Sequence, residues 1–210
     1  MKVLLNGQEL KDIASEGATL GSVLHAVQME KVGADEVIAA VWVDGEPLTA
    51  ERLSEWKDRP AEDFVETHVE APTRNQLAAQ GLQLLADGLS QSDQVRLDIV
   101  ERLGQGKAGE ALELMAGYLQ VWNGAQQTMS SVGRLLSLEM EGLEVYGQAE
   151  GAQRVLDLIE RLMEQLQQLK TALEAQDMVL MRDILEYEFR PLTEEWLGML
   201  EQLSQRFGEE

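Results

Sequence analysis

The apolar pattern of the chain changes at Pro72, and this change constrains the fold more than any other feature. Before Pro72, short apolar runs alternate with tight-turn pairs, which is typical of β-strands and hairpins. After Pro72, apolar residues recur every three or four positions over long stretches, as in amphipathic helices. The sequence therefore predicts an α+β protein, with a β-rich domain over residues 1–72 and a helical domain over residues 73–210.

Two turn signals organise the N-terminal domain. Asn6-Gly7 lies between two short apolar runs and favours a type I′ hairpin, and Asp44-Gly45 follows the apolar run 37–43 in the same way. Between them, Thr19 can cap an amphipathic helix. The alternating stretch Phe64–Glu70 predicts a last strand, whose inner face would carry Val65, Thr67 and Val69.

This order of hairpin, helix, strand, turn and strand resembles the β-grasp fold of ubiquitin and of the small sulfur-carrier and TGS-type domains. Sulfur carriers act through a free C-terminal Gly-Gly, whereas this module ends at Glu70-Ala71-Pro72 and the chain continues to Glu210. The resemblance therefore implies a sheet face or edge presented to a partner, and it implies no carrier chemistry.

Four amphipathic helices are predicted in the C-terminal domain. The first begins with a capping box of Thr73 and Gln76 and ends at Gly104-Gln105-Gly106, with a break at 90–93 as an alternative. Its predicted inner positions are Leu77, Gly81, Leu84, Gly88, Val95, Ile99 and Leu103. Together the four helices predict an antiparallel four-helix bundle. The link 139–151 is long, and its Leu143, Val145 and Tyr146 predict packing on the other domain or on a second subunit.

Bundles of this type resemble the flagellar-type secretion chaperones of bacteria, which wrap helical segments of a client protein. The resemblance is one of architecture, and it implies that a helical groove binds another protein. Either a monomer or a homodimer would satisfy the four apolar stripes.

The chain carries 38 acidic and 17 basic residues, a net charge of −21. A field of this sign repels phosphate backbones and anionic lipid head groups, so we expect no nucleic acid and no membrane among its partners. A basic or helical protein is the natural complement. The chain has no cysteine, and its first apolar run is too short for a signal peptide, so we expect a cytoplasmic protein.

Residues suited to catalysis or metal binding are scarce. The helical domain contains no histidine, which excludes the Glu-x-x-His pairs of di-iron bundles, and His25 and His68 are isolated in the N-terminal domain. The sequence therefore predicts no catalytic residue, no metal site and no cofactor.

The most unusual segment is Asp183–Leu192. Glu188 falls on the inner stripe of the last helix, and Pro191 cannot donate a hydrogen bond to the carbonyl of Tyr187, so a kink with a buried carboxylate is predicted. One interpretation is a ligand or partner site formed by Tyr187, Glu188 and Arg190. The alternative is that Glu188 pairs with an arginine such as Arg134 and that Pro191 only bends the helix.

These observations favour a non-catalytic protein–protein interaction module, an adaptor or chaperone-like protein. One alternative is a small-molecule or regulatory sensor with a ligand site in the bundle near Glu188. Another is an enzyme that uses carboxylates such as Glu186 and Glu188, which would need a cleft around them.

Overall fold

The computed structural model of the chain describes residues 1–11, 13, 17–139, 143–146 and 152–209. It is an α+β protein in which a small mixed sheet precedes a series of helices, as predicted. The chain divides into two compact units, Met1–Leu77 and Ala78–Glu210. The domain bounds 1–72 and 73–210 remain predictions from the sequence.

The N-terminal unit is built on a five-stranded sheet with the strand order β2-β1-β5-β3-β4. Its strands are β1 (Lys2–Leu5), β2 (Gln8–Leu10), β3 (Ala40–Val43), β4 (Glu46–Pro47) and β5 (Glu66–Glu70). Strands β1 and β5 are parallel, and the other neighbouring pairs are antiparallel. Helix α1 (Leu20–Glu30) contributes Val23 and Val27 to a cluster with Val3 and Val69 of the sheet, so it covers one sheet face. A shorter helix, α2 (Ala50–Trp56), follows β4.

Both predicted tight turns are present. Asn6-Gly7 has φ angles of 50° and 79°, and Asp44-Gly45 has φ angles of 52° and 80°, which are the two positive values that a type I′ turn requires. The cap of α1 is also confirmed, because the Thr19 hydroxyl accepts a hydrogen bond from the Ser22 N–H at 3.3 Å.

The Asp44 side chain has a second role at the start of β5. Its carboxylate accepts hydrogen bonds from the N–H groups of Val65 and Glu66, both at 2.8 Å. Thr67 and Val69 face the core as predicted, but the inward placement of Val65 is wrong, since this side chain is 78% exposed. The reason is that β5 begins only at Glu66, and Val65 belongs to the loop that Asp44 holds.

In the described part of the helical unit there are four long or interrupted helical segments, of which the first begins just before the unit boundary at Ala78. They are α3 (Arg74–Gly104), α4 (Ala108–Leu136), α5 (Val155–Glu174) and the run of α6 (Met178–Asp183), a π-helix (Ile184–Glu188) and α7 (Phe189–Glu209). The Thr73/Gln76 capping box is confirmed by reciprocal hydrogen bonds of 3.1 Å. Helix α3 is continuous through residues 90–93, so no break occurs there.

The predicted inner stripe of α3 is wrong over its first half. Leu84 is 72% exposed, and the buried positions of α3 are Ala78, Ala79, Leu82, Leu85, Leu89, Ser92, Arg96, Ile99 and Leu103. From Leu82 onward they follow a regular spacing of three and four residues. Two of them, Ser92 and Arg96, are polar, and this hid the stripe from a search for apolar residues alone.

A two-stranded hairpin precedes α5. It consists of β6 (Glu144–Tyr146) and β7 (Ala152–Arg154), and Leu143 and Val145 are buried in the core of the helical unit. The segment is packed, but the predicted partner is wrong for Leu143 and Val145, because they pack on their own unit. The Tyr146 side chain and residues 140–142 and 147–151 lie outside the described residues. Across the described helices, none combines the length and hydropathy that a membrane span requires.

Candidate functional site

The three residues predicted to form a site lie on one turn of the chain, but only one of them lines a cleft. Arg190 lines a surface cleft, whereas Tyr187 and Glu188 are exposed and are not among its lining residues. The inward placement of Glu188 is therefore wrong. In the part of the chain that the structure describes, Glu188 makes no ion pair, and Arg134 contacts the Ser131 hydroxyl at 3.4 Å instead.

The π-helix explains why Glu188 is outside. A π-helix places more residues in each turn than an α-helix, so the inward position after Leu185 moves from 188 to 189. Phe189 is fully buried, and its N–H bonds to the carbonyl of Ile184, five residues earlier. Pro191 supplies no N–H to the carbonyl of Tyr187, which removes one α-helical bond at this point. The predicted kink at Pro191 is thus a π-helical turn before it.

A buried arginine on α3, Arg96, bonds to this turn, and we call its bonds to Leu185 and Asp93 the Arg96 clamp. Arg96 donates from Nη1 to the carbonyl oxygen of Leu185 at 3.1 Å, within the π-helix. Its Nε and Nη2 donate to the two carboxylate oxygens of Asp93 at 2.6 and 3.2 Å. The Arg96 side chain is 3% exposed and that of Asp93 is 34% exposed, so the ion pair lies at the edge of the core. A buried guanidinium needs partners for its five N–H donors, and Asp93 and Leu185 engage three of them.

Arg96 and Asp93 both line a cleft of about 450 Å³, which we call the Arg96 cleft. It lies between α3 and the segment from the π-helix into α7, and its volume is within the range of ligand and partner pockets. Its lining consists of Ser90, Asp93, Arg96, Leu97, Val100, Glu186, Arg190, Thr193, Glu194 and Leu197. Leu97 is 46% exposed, so an apolar wall is open to solvent.

Residues that line the Arg96 cleft take part in two ion pairs. Arg190 Nε lies 3.5 Å from Glu194 Oε1, and Arg182 Nε lies 3.8 Å from Glu186 Oε2. These side chains are all about 40% exposed or more, and exposed pairs of this kind contribute little to stability. Their charges are therefore free to reorganise around a bound group.

Two buried polar groups lie in the core next to the clamp. The buried Tyr118 hydroxyl lies beside the side chains of Trp122 and Thr193, but among the described residues neither this hydroxyl nor the Trp122 indole N–H makes a well-formed hydrogen bond. Burial raises the pKa of Tyr118, and the neighbouring Trp122 side chain and the charge of Arg96 oppose that shift in part. The rings of Tyr118, Trp122 and Phe189 pack edge to face, with centroids 5.7 to 6.5 Å apart. The core next to the clamp is therefore aromatic with two unmet polar groups.

Sequence reasoning did not single out Arg96 or Asp93. The available signal was the spacing of α3, in which Arg96 occupies an inward position between Leu89 and Ile99. A charge on an inward stripe indicates a buried pair. The same reasoning was applied to Glu188, where the π-helix defeats it.

The described residues contain no group of three or more His, Cys, Asp or Glu side chains arranged to hold a metal ion. Of the two carboxylates considered for an enzyme, Glu186 lines the Arg96 cleft and Glu188 does not.

Two family models match parts of the chain. The N-terminal unit is similar to the family described as the TP0873 N-terminal domain, which matches residues 1–73. The helical unit is similar to a family described as a domain of unknown function (DUF8042), which matches residues 96–199. The second match begins at Arg96 and includes the residues of α7 that line the cleft. Comparisons with curated proteins and with solved structures found no match.

Proposed function

We propose that the chain is a non-catalytic protein–protein interaction module, an adaptor or chaperone-like protein, whose helical unit binds a partner in the Arg96 cleft. The observation that supports this proposal is the open apolar wall of Leu97, Val100 and Leu197 between exposed ion pairs. A partner side chain can bury against this wall while its polar neighbours meet the charged rim, as in the apolar centre and polar rim of protein interfaces.

The Arg96 clamp adds rigidity to this surface. The bond from Arg96 to the Leu185 carbonyl joins α3 to the π-helix, and Asp93, on α3 itself, fixes the guanidinium in place, so the two sides of the cleft are held together before a partner arrives. A preorganised site loses less conformational entropy on binding than a flexible one. This is the property that an adaptor surface needs.

The proposal extends to the fold of each unit. We assign the N-terminal unit to the β-grasp class, supported by its strand order, by the parallel β1–β5 pair and by the helix on one sheet face. We assign the helical unit to the antiparallel four-helix bundles, supported by four helical segments around one apolar cluster. A bundle of this type is the architectural basis for the chaperone-like interpretation.

Charge and composition complete the proposal. A net charge of −21 favours a basic or helical protein as partner over nucleic acid or a membrane surface. The absence of cysteine fits a cytoplasmic protein, which needs no disulfides. Tyr187, Glu188 and Arg190 are exposed together on the turn beside the cleft, and Tyr and Arg dominate the binding energy of many interfaces. We therefore place the partner across this turn as well.

The test is a display library of helical peptides selected on the full chain. Binders should lose about ten-fold or more in affinity when Leu97→Ser removes the apolar wall, as expected for one buried leucine. The matched control is Leu84→Ser, which removes an exposed leucine from the same helix outside the cleft. Tyr187→Ser and Glu188→Gln report on the adjoining turn. Binders that respond equally to Leu97→Ser and Leu84→Ser would show that the cleft is not the site.

A second candidate function, small-molecule sensing, is favoured by the unmet Tyr118 hydroxyl and Trp122 N–H. Buried polar groups normally have partners, and a small polar ligand bound next to these two groups could provide them. A thermal-shift screen of small polar compounds against the full chain tests it. A true ligand should raise Tm in the original chain and have a smaller effect in Tyr118→Phe. A compound with the same effect on both proteins does not bind at this position.

A further inference from the structure

The N-terminal sheet has an open face with a continuous row of side chains. The register of all five strands places one residue of each strand in this row, namely Glu9, Leu4, His68, Trp42 and Pro47. Because Thr67 and Val69 point into the core under α1, their neighbour His68 points to the opposite face. Leu4, His68 and Trp42 keep part of their surface in contact with solvent.

Trp42 and His68 form the centre of a shallow pocket on this face. Their ring centroids are 5.7 Å apart with an angle of 40° between the rings. The pocket has a volume of about 250 Å³ and is completed by Gly45, Glu66 and Glu70. Gly45 has no side chain to close the mouth of the pocket, and its φ of 80° is part of the tight turn after β3.

The lining has the chemistry of a cation site. An indole face attracts a cation through its quadrupole, and carboxylates beside it add charge attraction. Glu66 is partly neutralised by Lys2, whose Nζ lies 3.4 Å from Glu66 Oε2. Within the described ranges no ion pair engages Glu70, so its charge is available to a partner. The chain as a whole, at −21, attracts cations to this face and repels anions.

From the position of these groups we propose that this pocket, which we call the Trp42 pocket, binds an arginine side chain of a partner protein. Arginine fits better than lysine because its planar guanidinium can stack on the Trp42 ring while its edge donates hydrogen bonds to Glu70 and Glu66. Leu4 and Pro47, in the same row, give apolar surface to the residues on either side of that arginine. The pocket belongs to the N-terminal unit alone, so this site is separate from the Arg96 cleft and does not depend on it.

The test uses three short peptides that differ only at a central residue, which is arginine, lysine or the neutral isostere citrulline. Each is titrated into the full ¹⁵N-labelled chain, and binding is followed at the Trp42 indole N–H and the Gly45 amide. The arginine peptide should shift both signals and weaken with added salt. The citrulline peptide should bind about ten-fold more weakly or not at all, because it lacks the charge that the ring and the carboxylates recognise. Equal affinity for the arginine and citrulline peptides would overturn the proposal.

Variants place the binding at this pocket. Trp42→Ala should abolish arginine-peptide binding, and Glu70→Gln should weaken it several-fold while preserving the fold, since Glu70 is exposed. Met29→Ala, which removes an exposed apolar side chain from α1, is the matched control and should bind normally. If Trp42→Ala does not fold, the test depends on Glu70→Gln. Unchanged affinity of that variant for the arginine peptide would rule out the pocket as the binding site. Leu97→Ser should leave arginine binding intact, so failure here is separable from failure at the Arg96 cleft.

Discussion

Removing the Arg96 side chain should destabilise the helical unit far more than removing another arginine of the same helix. Arg96→Met keeps most of the aliphatic volume but leaves the Leu185 carbonyl without its donor, which costs roughly 1–3 kcal/mol for a buried acceptor. The bonds to Asp93 add less, because that carboxylate is 34% exposed and can be rehydrated. We expect a total loss of about 2–4 kcal/mol in the free energy of unfolding.

Urea unfolding followed by circular dichroism at 222 nm measures this loss. A change of that size lowers the midpoint by about 1–2 M for a typical m value. Arg102→Met is the matched control on α3. Arg102 bonds to Glu110 at 2.6 Å, but its side chain is 37% exposed, so its loss should cost less than about 1 kcal/mol. The reasoning is refuted if the two variants have the same stability.

A double-mutant cycle separates the ion pair from the carbonyl bond. Asp93→Asn leaves the Arg96 charge in the core with a weaker acceptor, and the double variant removes both charges. The two losses should therefore not add, with a coupling of about 1–3 kcal/mol. Hydrogen exchange at the Phe189 amide should accelerate in Arg96→Met, because this N–H closes the π-helical turn that Arg96 holds. Strictly additive losses would mean that the fork is not a unit.

Three further predictions concern other parts of the structure. Because burial raises the pKa of Tyr118, the folded chain keeps the phenolic proton at pH values where the unfolded chain loses it. The free energy of unfolding should therefore be unaffected by Tyr118 below about pH 10 and fall above it by up to about 1.4 kcal/mol per pH unit. Urea titrations should find this loss reduced in Tyr118→Phe. Asp44→Ala should lower Tm more than Asp44→Asn, because only asparagine keeps an acceptor for the β5 amides and tolerates the positive φ. Phe189→Ala should cost about 3–5 kcal/mol in urea unfolding while Glu188→Ala stays within about 0.5, and the reverse order would refute the π-helical register.

The features predicted correctly from the sequence depend on a few adjacent residues. The Asn6-Gly7 and Asp44-Gly45 turns and the Thr73 cap are decided by local backbone preferences and short hydrogen bonds, and no distant contact is needed to recognise them. The last helix has an equally local pattern at Trp196, Met199 and Leu203, which are buried because apolar residues fill this stripe without interruption after the π-helix.

The features that were missed depend on contacts between distant residues. On α3, the Ser92 hydroxyl is satisfied locally by the Leu89 carbonyl, whereas Arg96 depends on the Leu185 carbonyl, which accepts from its Nη1. The second of these bonds spans 89 residues of chain. In the sequence these two residues are simply polar, so the apolar pattern assigns the inner stripe of α3 to Leu84 instead. The cleft was missed for the same reason, since its two sides come from α3 and α7.

The burial energies of Glu188 and Phe189 decide which of the two residues faces the core. After Leu185 the spacing alone allows either residue to face the core. Burying Glu188 without a partner would cost several kcal/mol, whereas burying Phe189 gains roughly 2–3 kcal/mol. The π-helical turn places Phe189 inside and leaves Glu188 at the surface. Arg96 donates to the Leu185 carbonyl within that turn, so the arginine that the sequence left unexplained supports the register that keeps the carboxylate exposed.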